Sequence, residues 1–192
     1  MFKKKVWKKV WNQVTGNKGI LLLFLGLVCP TLSIQSGPGA HETGIEGGEK
    51  TEEISIPKPD KKDSLLFFAY RYIGTPYKYA GTSPKGFDCS GFVFYVFKNH
   101  GVEIPRTSRD MGRLGREVPR DSAKKGDVIL FLGTNASNKT IGHAGIVCGA
   151  DADDLQFIHS SSNRKSGGVI LSCMKDSPYY QKRFVKIVRF EM

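Results

Sequence analysis

The chain has no apolar run long enough to cross a bilayer. Its strongest one, Ile20 to Val28 (ILLLFLGLV), is nine residues long, against the roughly 20 that a span requires. It also lacks the close ligand pairs from which metal sites are read: its 4 cysteines and 4 histidines contain no Cys-x-x-Cys and no His-x-x-x-His, so no metal centre is expected. There is no RNA- or DNA-binding motif and no internal repeat. The formal charge of +11 therefore fits membrane headgroups or carboxylate-rich polymers, and nucleic acid is not an expected partner. With 192 residues, 40% of them apolar, the chain can form one well-buried domain with extensions but not two full-sized ones.

What is present begins with lysines. Lys3, Lys4, Lys5, Lys8, Lys9 and Lys18 precede the apolar run, and Ser33 and Ser36 follow it, which is the anatomy of a signal peptide. Residues 1–36 are thus expected to be a signal peptide or, if uncleaved, an N-terminal membrane anchor. The protein is expected to be exported to the cell envelope, periplasmic or extracellular, with membrane contact only through that segment. Cys29 raises the question of a lipoprotein, but Val28 before it and Pro30 after it argue against one. Residues 37–62, rich in Gly, Pro, Glu and Lys, read as a flexible linker, with His41 a solvated linker residue. Once a signal is removed, Cys89, Cys148 and Cys173 remain. The number is odd, so at least one thiol stays free in a compartment that permits disulfides; Cys148 and Cys173 either pair or stay free.

Residues 63–192 hold the ordered domain. Ser64 is a good helix N-cap before Leu65, Leu66, Phe67, Phe68, Ala69 and Tyr72, with Gly74 as the stop. After a turn-rich stretch, Phe92 with Val96 and Val93 with Phe97 repeat at the i, i+4 spacing of a buried helix that ends at His100 and Gly101. Thr107 to Leu114 is weakly helical. Short β-type runs follow at Asp127–Leu132, His143–Cys148, Leu155–His159, Val169–Cys173 and Phe184–Phe190. Helices first and strands afterwards indicate an α+β domain, N-terminal helices packed on an antiparallel sheet. The polar loop Gly133 to Thr140 carries two N-x-[ST] sequons, read as loop composition.

Cys89 lies where the buried helix begins, so the amides of the first turn should point at its sulfur and lower its pKa. Ser90 and Gly91 keep the entrance small. The acidic turn Gly149 to Asp154 joins the runs that carry His143 and His159. A symmetric hairpin centred on Asp151 sets His143 opposite His159 and Val147 opposite Leu155, with both imidazoles on one face and close enough to hydrogen-bond. Val147, Leu155 and Phe157 share that face, which should pack against an element such as the Cys89 helix. A nucleophile, a base and a residue that orients the base are the parts of a catalytic triad. His100, at a helix C-terminus, reads as structural.

From about Ser64 to the end the chain resembles the NlpC/p60 cell-wall peptidases. The residues that carry the resemblance are Gly74-Thr75-Pro76-Tyr77 with Gly81, Phe87-Asp88-Cys89-Ser90-Gly91-Phe92-Val93, Pro105-Arg106-Thr107-Ser108, Gly126-Asp127-Val128, Gly142-His143-Ala144-Gly145-Ile146-Val147 and Phe157-Ile158-His159. The resemblance implies a papain-like fold and a cysteine peptidase acting on peptidoglycan stem peptides or cross-links through a thioester. In it Cys89 is the nucleophile, His143 the general base and acid, and His159 the orienting residue. It further implies an oxyanion role for Tyr77 and contacts of Asp88 and Ser90 with the amino end of the stem peptide. Arg106 either meets a substrate carboxylate or makes a structural hydrogen bond. No cofactor is called for, and a monomer is expected. Two departures, Ala80 where a glycine is usual and Met111 where a glutamine is common, bear on which bond is cut. The rival readings are a catalytically silent wall-binding domain and an amidase or acyltransferase using the same thiol.

Overall fold

A computed structural model describes residues 60–134, 139–151, 154–163 and 167–192. The expected signal segment, most of the linker, Cys29, His41 and both sequon asparagines lie outside the described residues. Helix α1 spans Lys61–Tyr70. It starts earlier than the Ser64 cap predicts: Asp60 takes the N-cap position and its carbonyl accepts the Ser64 N–H. Ser64 therefore sits inside the first turn, where Lys61, Lys62 and Asp63 propagate the helix without needing burial.

A short hairpin, β1 (Thr82–Ser83) and β2 (Gly86–Phe87), leads directly into α2 (Cys89–Lys98). Phe92, Val93, Val96 and Phe97 are fully buried, as the i, i+4 spacing requires. Then come α3 (Ser108–Leu114), capped by the Thr107 hydroxyl accepting from the Asp110 N–H at 3.1 Å, and β3 (Arg116–Val118). The remaining strands are β4 (Val128–Leu132), β5 (Ile141–Asp151), β6 (Asp154–Ser161), β7 (Gly168–Cys173) and β8 (Phe184–Arg189). A one-and-a-half-turn helix, α4 (Pro178–Arg183), precedes β8.

The six longer strands form one antiparallel sheet in the order β3-β8-β4-β5-β6-β7. The domain is therefore α+β. Residues alternate between the sheet's faces along each strand. Leu130 and Val188 point to one face, where they meet α3 at Gly112 and Gly115. Val118, Ile129, Phe131, Val147, Leu155, Phe157, Met174 and Ile187 form a core cluster on the other, joined by Ala123, Tyr180 and Phe184. The sequence assigned Val147, Leu155 and Phe157 to a face packed on the Cys89 helix. Instead their cluster contains no residue of α2, and α4 supplies part of its cover. Among the described residues no helix is long and apolar enough to cross a membrane.

Candidate active site

Cys89 is the first residue of α2, and its placement is fixed from behind. Asp88, the N-cap, accepts the Gly91 N–H at 2.6 Å. Arg106 grips the same carboxylate, with Nη2 on Oδ2 at 2.6 Å and Nη1 on Oδ1 at 3.2 Å, and Nη1 also donates to Ser90 Oγ at 2.9 Å. A forked, charge-assisted pair of this kind is both strong and directional. Asp88, Ser90 and Arg106 thus bind one another around the helix start and are not among the side chains that line the cleft. Gly91 is required by backbone packing: a Cβ there would collide with the Gly81 carbonyl oxygen of the preceding turn.

The Cys89 sulfur is half-buried and donates to the Gly142 carbonyl at 3.8 Å. Burial pushes the thiol pKa up, against the pull of backbone N–H groups of Ala144, Ser90 and Cys89, and the Asp88 carboxylate adds to the rise. The helix end alone predicts a lowered value. The capping carboxylate that secures the helix also offsets its positive end at the sulfur.

His143 and His159 meet on the sheet. His143 Nε2 lies 3.0 Å from His159 Nδ1, and His159 Nε2 lies 2.9 Å from Ser172 Oγ. This engages Nε2 of His143 and leaves Nδ1 as the ring nitrogen that can accept a proton. Accepting there requires the hydrogen to be on Nε2, donated to His159 Nδ1. His159 then carries its own hydrogen on Nε2 and donates it to Ser172. The imidazoles sit edge to face at 4.9 Å between Phe131, Phe157 and Tyr180. Burial, then the charge of Arg183, lowers the His143 pKa to about 4. Burial, with a smaller effect of His143, holds fully buried His159 well below its ordinary value.

The hairpin register differs from the symmetric one. Ile146 pairs with Ile158 and Val147 with Phe157, and a bulge at Cys148 precedes the pairs Gly149–Gln156, Ala150–Leu155 and Asp151–Asp154. Continued toward the start of β5, this register sets His159 across from Gly145. The shift is two residues, so both histidines keep a common face and meet on a diagonal. A Cβ at Gly145 would lie 3.1 Å from His159 Cβ and 3.0 Å from Phe157 Cδ2, so the absent side chain makes room for the pair. The pairing runs on to Asp151–Asp154, past the centre that a symmetric hairpin predicts.

A cleft of about 570 Å³ opens over these groups, lined by Tyr77, Cys89, His143, Ser172, Tyr180 and Arg183 among others. Tyr77 is set beside Cys89 by a parallel bridge to Phe87. The structure therefore brings Cys89, His143, His159 and Tyr77 together. Sequence reasoning passed over Ser172, Tyr180 and Arg183. The last two ride on α4, whose signal was Ser177-Pro178, a proline at the first helical position. His100 Nδ1 donates locally to the Val96 carbonyl, 3.0 Å away, and the ring packs on Phe68. Cys148 is buried beside Tyr70, and the half-buried Cys173 donates to Asp154 Oδ1 at 2.7 Å; the two are not bonded to each other. Among the described residues no group of three or more His, Cys, Asp or Glu side chains could hold a metal ion.

The model of the NlpC/P60 family matches residues 74–189. An Escherichia coli K12 protein, murein DD-endopeptidase MepS/murein LD-carboxypeptidase, is 31% identical over 147 residues, covering 76% of this chain and 72% of that protein. A gamma-D-glutamyl-L-lysine dipeptidyl-peptidase of Bacillus cereus is 31% identical over 158 residues, 82% of this chain but 46% of that protein. The crystal structure of an NlpC/P60 family protein from Bacillus cereus superposes with a TM-score of 0.58 at 32% identity, over 70% of this chain and 41% of that one.

Proposed function

The chain belongs to the NlpC/P60 family, and from that premise we propose that it is a cysteine peptidase that hydrolyses amide bonds in the stem peptides or cross-links of peptidoglycan. The observation that carries the reading is the set of three groups lining one cleft, a cysteine at a helix start, an imidazole and a tyrosine beside the sulfur, with a second, buried imidazole bonded to the first through its Nε2.

In this reading His143 Nδ1 takes the Cys89 proton as the sulfur attacks the substrate carbonyl and the S–C bond forms. The Cys89 N–H and the Tyr77 hydroxyl stabilise the oxyanion; one such donor is commonly worth about 10²- to 10³-fold in rate. The C–N bond then breaks and the imidazolium gives its proton to the leaving amine. Water attacks the thioester, His143 accepts its proton, and that proton returns to the sulfur as the acid product departs. No step calls for a metal or organic cofactor. The relatives named above cut different bonds, so the scissile bond is the first thing to measure.

The test is mass spectrometry of purified muropeptides after incubation with the wild type and with Cys89→Ala. The expected result is loss of cross-linked dimers, or release of cut stem peptides, with the wild type alone. Intact muropeptides after incubation with a folded, thiol-reactive wild type would refute the reading. They would favour a silent binding domain or a different acyl substrate.

A further inference from the structure

Arg183 is a cation in the cleft that no anion pairs with among the described residues. Its Nε donates weakly to the Leu132 carbonyl at 3.4 Å, its guanidinium lies over the exposed ring of Tyr179 at 4.9 Å, and its Nη2 is buried with no hydrogen-bond partner. Several other basic residues of the domain are matched: Arg106 to Asp88, Arg116 to Glu191, Lys186 to Glu117 and Arg189 to Asp127. Among the described residues no carboxylate pairs with Arg183.

A guanidinium has five N–H donors in a planar fork suited to a carboxylate. Covering one of its amino groups without an acceptor costs free energy that a native fold offsets only where an acceptor is supplied. Arg183 lines the same cleft as Cys89 and His143, so a substrate carboxylate seated there can meet the guanidinium where it borders the cleft. We propose that Arg183 is the carboxylate-recognition residue of this cleft, pairing with a free carboxylate carried by the peptide that Cys89 attacks. This rests on the peptidase reading and narrows its substrate to stem peptides with unamidated carboxyl groups.

The position has a second effect. Among the described residues the charged and titratable groups acting on His143 or packed against it are His159 from β6 and Tyr180 and Arg183 from α4, and Cys89 from α2 lines the same cleft. Arg183 is the cation among them, and it opposes protonation of His143. A substrate carboxylate on Arg183 neutralises that charge and makes the imidazole a better proton acceptor when substrate is seated.

The test is isothermal titration of the Cys89→Ala protein with a stem peptide whose carboxylates are free and with the same peptide amidated. The acid should bind about 10- to 100-fold more tightly, the worth of a charge-assisted pair. Adding Arg183→Gln should bring the two affinities within about threefold of each other. Arg183→Lys keeps the charge without the fork and should retain part of the preference, and it decides the matter if the glutamine variant does not fold. A preference untouched by either substitution, or no binding of the acid peptide, would overturn the proposal. Cleavage by the wild type is scored separately, so an inactive wild type sinks the peptidase reading while the acid-over-amide preference and its dependence on Arg183 are still measured.

Discussion

Lowering the pH should destabilise this domain through its two histidines, in a window the structure sets. An unfolded chain protonates His143 near pH 6.5, whereas the folded chain resists until about pH 4 because burial and the Arg183 charge disfavour the imidazolium. The folded pKa is depressed, so the stabilisation is complete above about 6.5, is lost as pH falls toward 4, and does not decline further on this account below that. One proton taken up only by the unfolded state changes stability by about 1.4 kcal/mol per pH unit. Across the window His143 alone contributes on the order of 3 kcal/mol, trimmed by the solvent that reaches its half-buried ring. His159, fully buried and held well below its ordinary value, acts in the same direction. A small domain has about 5–15 kcal/mol in total, so the loss is large enough to shift an unfolding midpoint plainly. Urea titrations of the wild type and of His143→Gln from pH 8 to pH 4 measure it, the variant cancelling the titrating groups that do not touch His143. The wild type should lose more stability than the variant, with the gap opening below about pH 6.5. Parallel curves would refute the reasoning.

Three further outcomes follow from particular contacts. Alkylation of Cys89 by iodoacetamide should keep rising with pH beyond neutrality, because burial raises the thiol pKa; a rate already flat across pH 5 to 8 would reveal a preformed thiolate. Ser172→Ala removes the acceptor that fixes the His159 tautomer and should lower kcat by about fivefold with KM little changed, the effect of one net hydrogen bond. An altered KM alone would point to substrate contact instead. Ala80 has φ +57°, a conformation that costs a non-glycine residue about 1–2 kcal/mol, part of which glycine gives back in the unfolded state. Ala80→Gly should therefore raise stability by about 0.5–1 kcal/mol in urea unfolding.

Legibility in the sequence tracked how local each determinant was. The α2 helix could be read because Phe92, Val93, Val96 and Phe97 mark its buried face by spacing alone, and the strand runs because their apolar residues are continuous. The two histidines were assigned correctly to one face, although the register was off. A two-residue shift preserves the face, while the bulge at Cys148 and the late turn are set by tertiary packing that no spacing rule contains. The departure at Ala80 was visible as a missing glycine, and its φ of +57° supplies the reason a glycine suits that place. Arg183 and Tyr180 were missed because α4 is only six residues long, too short to display a period. The role of Asp88 is also non-local, since its charge is shared with Arg106 from beyond the helix.

In the proposed mechanism the resting site holds Cys89 and His143 apart in charge. Burial and Asp88 disfavour the thiolate, while burial and Arg183 disfavour the imidazolium, so a preformed ion pair is opposed from both ends. The same contacts are structural: Asp88 caps α2, and Phe131, Phe157 and Tyr180 pack the imidazoles into the core cluster. Converting Cys89 or His143 to its charged form in the free protein would thus cost folding stability. Proton transfer becomes favourable only when something else in the cleft changes, either a carbonyl that consumes the sulfur's electron pair or an anion that cancels Arg183. A site arranged in this way leaves its thiol less reactive toward adventitious electrophiles than an ion-paired cysteine would be, and under the proposed mechanism it ties activation of His143 to the arrival of substrate.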